Sequence, residues 1–239
     1  MGSISVAEAA ERLGVSVPRV HQRIADGSLA AERIGSQWVV DERSLLQVQE
    51  RSKAGRPLSA RSAWVVIAAS EGDRDRVRSS GPAAWARASK QLSALLESAA
   101  EPARGEQAVE ALAISLRSIF RNRAQRRLFR AAQSDLADLR ADARWAVIVD
   151  LGASGIASAD VEGYLAESEL DRVVKDYLLV DVDRDANVVI HVIADDQHPY
   201  PDSRLRLAAD LAEHRGPREE ARAAELLHEL AFEWKAEGR

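Results

Sequence analysis

Cysteine is missing from this 239-residue chain. Without thiols there is no disulfide and no thiolate metal site, which fits a reducing cytosol. Long apolar runs are missing too. The longest, Ala63 to Ala69, is far too short to span a bilayer, and no basic segment followed by an apolar stretch opens the chain. A soluble, cytoplasmic protein without membrane contact is expected.

The familiar catalytic patterns are also incomplete. Asp181-Val-Asp183-Arg-Asp185-Ala-Asn187 begins like a calcium loop, but Ala186 stands where the sharp turn needs glycine and Val192 where a bidentate glutamate belongs. Gly152-Ala-Ser154-Gly155 has neither the ending of a phosphate loop nor the spacing of a nucleophile elbow. His191, Asp195, Asp196 and His198 are a second candidate metal group, but strand alternation sets His191 apart from the others. The expectation is therefore a protein that is not an enzyme and needs no cofactor.

What is present is concentrated near the N-terminus. Ser5 and Glu8 have capping-box spacing, Ala9, Ala10 and Leu13 form an apolar side, and Gly14 permits a left-handed turn, so a short helix starts after Ser5. Ser16 caps a second helix with Pro18 in its first turn and Val17, Val20 and Ile24 as its buried stripe. Arg19, Gln22 and Arg23 point outward, with His21 at the edge. Gly27 closes this helix. Leu29 to Ile34 and Gln37 to Val40 then read as two short strands joined by Gly35-Ser36. Asp41 caps a third helix running to about Glu50.

An exposed helix face reads base edges only with long donors, arginine for guanine and glutamine for adenine, and this face has both. The run AAERLGVS, a helix, then DGSLAAERIGSQWVVD resembles the winged helix-turn-helix domain of the excisionase and MerR families. The resemblance implies that the second helix enters the major groove. It makes Arg19, Gln22 and Arg23 base readers, with His21 beside them, and Arg33, Ser36 and Gln37 wing contacts. Trp38 would be the wing's buried anchor.

Residues 51 to 62 carry four positive and no negative charges around a glycine and a proline, a basic linker whose Lys53 and Arg56 should lie near phosphates. The overall charge of −5 is unevenly spread: +2 over residues 1 to 62, −1 over 63 to 113, +5 over 114 to 144 and −11 over 145 to 239. Such segregation is expected when different parts meet different partners; the plainer alternative is a solvated acidic surface.

The domain plan read from these signals is 1–50 winged helix-turn-helix, 51–62 linker, 63–144 helical region and 145–239 acidic α/β domain for partner binding or dimerisation. The fold class is mostly α with a small mixed α/β C-terminal domain. Within it, Ser59 or Ser62 starts one helix and Pro82 another, and a third runs from about Gln107 through the arginine-rich stretch to Arg130. Trp145 to Val149 is either a buried strand or a helix turn. Val161 to Leu165, Leu178 to Val182 and Asn187 to Ile193 are strands, Ser168 caps a helix to Tyr177, and two helices divided at Gly216-Pro217 finish the chain.

The segments GRPLSARSAW, SDLADLRAD, DANVVIHVI and LRLAADLAEHRGPREEARAAELLHEL are similar to actinobacterial antitoxin-like regulators linked to nucleotidyltransferase toxins. That resemblance implies an autorepressing DNA reader whose C-terminal region holds a toxin. A homodimer on an operator with paired half-sites is expected, since one small module makes few base contacts. The alternatives are a stand-alone repressor, an excisionase-like architectural factor, or an enzyme with a helix-turn-helix targeting domain.

Overall fold

The computed structural model describes residues 3–26, 29–35, 37–41, 45, 57–149, 161–183 and 185–236. They divide into two compact units, 1–56 and 57–239.

The first unit contains β1 (Ser3–Ser5), α1 (Val6–Leu13), α2 (Val17–Ala25), β2 (Ala31–Ile34) and β3 (Gln37–Asp41). Ser5 Oγ accepts the Glu8 amide at 3.1 Å, as the capping spacing predicts. Gly14 ends α1 at φ +64°, and the Val15 amide then reaches back to the Ala10 carbonyl at 3.0 Å. This is a left-handed helix stop that a side chain would strain. The strands form an antiparallel sheet in the order β1-β3-β2, with Ile4 opposite Val40 and Arg33 opposite Trp38. β1 was not foreseen. Three residues are too few for a periodic signal, and only the buried Ile4 betrays it. The core comprises Ile4, Ala9, Ala10, Val20, Leu29, Val40 and Leu45. Gly27, Ser36, Lys53 and Arg56, and the expected third helix apart from Leu45, lie outside the described residues.

Two expectations for this unit need correction. Val17 is 41% exposed rather than part of the buried stripe. It stands at the first helical position of α2, where side chains lean back past the helix start. Trp38 is half-buried, and the fully buried place on β3 belongs to Val40, two residues along the same face.

In the second unit the described elements are α3 (Ala60–Ser70), α4 (Pro82–Ser98), α5 (Glu106–Phe120), β4 (Gln125–Arg130), α6 (Leu136–Arg140), β5 (Trp145–Ile148), β6 (Val161–Ala166), α7 (Glu167–Asp176), β7 (Val180–Asp181), β8 (Val188–Ile193), α8 (Arg204–Glu213) and α9 (Pro217–Ala236). Its sheet has the order β5-β6-β8-β4-β7, antiparallel except for the parallel central pair β6 and β8. Alternation along the central strands divides two cores. Val161, Leu165, Val188, Ile190 and Val192 face α6 and α7 with Leu136, Leu139 and Val173. Tyr164 and Ile193 belong to the opposite core, which is filled by residues of α3, α4, α5, α8 and α9. Gly163 lets β5 approach β6, because a Cβ there would lie 2.7 Å from both the Trp145 ring and the Val147 carbonyl.

This arrangement alters the plan read from the sequence. The helix expected to reach Arg130 ends at Phe120, and Gln125–Arg130 is a strand paired with β8 on one side and β7 on the other. Neighbouring strands override the helical preference of an arginine-rich segment. The boundary at residue 144 therefore runs through one compact unit, and the α/β part is larger than expected. Trp145–Ile148 resolves as a strand. Ser168 does not cap α7; it lies within the first turn and gives its amide to Asp195 Oδ1 at 3.1 Å. Between α8 and α9 the left-handed residue is Arg215 at φ +55°, not Gly216.

The segregated charge also has an internal explanation. Arg117 pairs with Glu220 at 2.6 Å, Arg123 with Asp210 at 2.7 Å, Arg127 with Asp181, and Arg144 with Asp176 at 2.7 Å. Arg130 donates to the Asp185 carbonyl. The basic stretch is thus folded against the acidic one inside a single unit.

Candidate nucleic-acid interface

α1 and α2 share one apolar core, and this fixes which face of α2 is free. Val20 is completely buried and Ile24 half-buried, so residues three positions apart on the other side face outward. Arg19, His21 and Gln22 are exposed, whereas Arg23 is half-buried. Arg19 Nη1 donates to Gln22 Oε1 at 2.5 Å. The two longest polar side chains on the exposed face are therefore held side by side, and that bond uses only one guanidinium donor and the amide oxygen. Such a pair is weak at a surface, so rearranging it against a ligand costs little.

The β2–β3 hairpin presents Arg33 and Gln37, both exposed. Its buried side is Val40, and Ala31, opposite Val40, packs on the same core. The structure therefore places Arg19, His21, Gln22, Arg33 and Gln37 at the surface of one unit. It places Arg23 partly inside and describes neither Ser36, Lys53 nor Arg56.

The second unit contains a polar cluster that sequence reasoning missed. Asp210 is fully buried on α8 and accepts at Oδ1 from Arg123 Nη2 at 2.7 Å and from the Tyr164 hydroxyl at 2.5 Å. Its Oδ2 accepts from Arg206 Nη1 at 2.5 Å. Arg123 also donates to Tyr164, to the Phe120 carbonyl and to Glu213. Arg206 donates to the carbonyls of Tyr200 and Pro201. Beside them Glu162 lies between two histidines, 2.7 Å from His191 Nε2 and 2.8 Å from His214 Nε2, while the Tyr164 and His191 rings stack at 4.8 Å. Burial pushes the Glu162 carboxyl up, but the two histidines outweigh this and hold it below its usual range. The bond to Glu162 raises His214 against its own desolvation.

The sequence hint was available but ambiguous. Glu162 and Tyr164 alternate with the apolar residues of β6, and Asp210 interrupts an otherwise apolar helix face, yet nothing in one chain shows that they meet. The residues considered for a metal separate: His191 binds Glu162, Asp195 accepts the Ser168 amide and His198 stands edge-on to Tyr200 at 4.9 Å. Among the described residues no three His, Cys, Asp or Glu side chains gather into a metal-holding group. Nor, among the same residues, is any helix long and apolar enough to cross a membrane.

Comparison with known proteins agrees with the geometry of the first unit. No curated protein and no solved structure matches the chain. A family model described as a helix-turn-helix domain matches residues 4–53, and the chain carries such a domain at its N-terminus.

Proposed function

We propose that this protein is a sequence-specific DNA-binding regulator that reads the major groove with α2. The exposed, mutually bonded Arg19 and Gln22 on the face opposite buried Val20 carry this reading. They supply the donors that guanine and the mixed donor and acceptor that adenine require. His21 flanks them and Arg23 makes a shallower contribution from its half-buried position. The β2–β3 hairpin follows the backbone with Arg33, Ser36 and Gln37, and Lys53 and Arg56 add phosphate contacts.

Two copies bind paired half-sites, because one small module cannot supply enough base contacts for specificity. The 57–239 unit serves assembly rather than catalysis in this reading. The finer version, an autorepressing antitoxin, draws its support from the sequence resemblance. The internal pairing of the arginine-rich and acidic stretches reduces the charge left for a basic toxin.

Selection of duplexes from a random pool by the full chain tests the proposal. Recovered duplexes should share a sequence repeated about one helical turn apart, roughly 10 base pairs. Recovery without a common sequence would favour a helix-turn-helix used for protein contact.

A further inference from the structure

A cavity of about 260 Å³ opens between the 3-10 turn Arg78–Ser80 and the first turn of α4. Val77 and Trp85 line it, and both pack against the main core of the 57–239 unit. Its charged wall is Arg74, Asp75 and Arg78. Arg78 is paired with Asp75 at 2.6 Å, but the side chains are 81% and 84% exposed, a pair that holds little energy and opens readily. Arg74 is exposed. Immediately beside this wall Arg61 directs Nε and Nη2 at the hydroxyls of Ser80 and Ser79, at 3.2 and 3.3 Å. These are long contacts for a guanidinium, whose bonds to an ionised oxygen are shorter and about twice as strong as those to a neutral one.

The cavity thus combines an indole anchored to a core with two guanidiniums and one carboxylate, and a third guanidinium, Arg61, lies beside it. Arginine forks match phosphate oxygens, and an indole surface accepts a flat base by stacking with little regard to its identity. We propose that this cavity binds a nucleotide, with the base against Trp85 and the phosphate drawn to Arg74 and Arg78. The site lies within the 57–239 unit and does not depend on the reading of the helix-turn-helix. The phosphate could come from a free mononucleotide or from an unstacked nucleotide within a single strand, and the same chemistry recognises both.

Isothermal titration of the full chain with each of the four common nucleoside 5′-monophosphates, with the corresponding nucleosides, and with a short single-stranded oligonucleotide tests the site. Binding at millimolar concentration or below is expected for at least one monophosphate, at least tenfold tighter than for its nucleoside. Arg74→Ala with Arg78→Ala, two exposed positions whose replacement leaves the core intact, should weaken it about tenfold or more, a loss of about 1.4 kcal/mol or more. Trp85→Phe should weaken it less, since a smaller ring still stacks. Binding of the oligonucleotide but not of the mononucleotides, lost in the same double variant, supports the site and assigns it to a strand. The proposal is overturned if no nucleotide or oligonucleotide binds, if nucleosides bind as well as monophosphates, or if the double variant binds unchanged.

Discussion

Asp210 is the buried acid on which the polar cluster of the larger unit converges. Its carboxylate is fully buried and neutralises two buried guanidiniums, Arg123 and Arg206, while also accepting the Tyr164 hydroxyl. Asp210→Ala removes three accepted hydrogen bonds at once. Arg123 keeps Glu213 and the Phe120 carbonyl, whereas Arg206 keeps only neutral carbonyls. Breaking a buried ion pair from one side costs about 3 to 5 kcal/mol, because the surviving charge cannot recover its hydration. Arg206, left with no carboxylate, and Arg123, left with one of two, place this variant toward the upper end. Against a typical stability of about 5 to 15 kcal/mol, that is a large share.

Urea unfolding followed by tryptophan fluorescence measures the loss, since Trp64, Trp85, Trp145 and Trp234 all lie in this unit. Trp64 reports directly, donating Nε1 to the Arg123 carbonyl at 2.8 Å. Asp75→Ala, which breaks only the exposed pair with Arg78, is the control and should change stability by no more than about 0.5 kcal/mol. If Asp210→Ala cost no more than this control, the buried cluster would not hold the unit together.

Three further outcomes are expected. The Glu162 carboxyl is held below its ordinary 4.5 and His214 above its ordinary 6.5, so their contribution is complete between those values; it falls as pH rises through the folded His214 value, and in acid as Glu162 takes up a proton. Glu162→Gln should remove the fall above pH 6.5, seen as a flatter plot of unfolding free energy against pH, and an unchanged slope would assign that fall to other groups. Gly14→Ala meets open space but keeps φ +64°, so it should destabilise the first unit by about 1 kcal/mol, measured as faster amide exchange along α1; unchanged exchange would mean the stop is not left-handed. Neutralising Lys53 and Arg56 should weaken binding to every duplex and flatten its dependence on salt by about one unit of slope per lost phosphate contact, whereas an identical slope would remove the linker from the interface.

How far the sequence could be read depended on whether the signal was local. The start and stop of α1 are written in Ser5, Glu8 and Gly14, and the structure has each where the spacing places it. The strand Val188–Ile193, buried at every position, is an apolar run broken only by His191 and needed no partner to be recognised. Gln125–Arg130 was misread for the opposite reason. Its arginines have no strand preference of their own, and the segment is extended because β8 and β7 pair with it from segments more than fifty residues away. The separation of charge misled similarly: counts along a chain cannot show that Arg123 and Asp210 meet in a core. At the candidate interface, the outward face of α2 was legible from its period, but the partial burial of Arg23 depends on packing beyond the helix.

In the proposed function, Arg19 and Gln22 read bases. Affinities of the full chain and of its Arg19→Ala and Gln22→Ala variants, for a selected site and for random duplex at one salt concentration, test it most directly. Each substitution should cost about 1 to 3 kcal/mol on the selected site and much less on random DNA. Equal losses on both duplexes, or no loss on either, would contradict it.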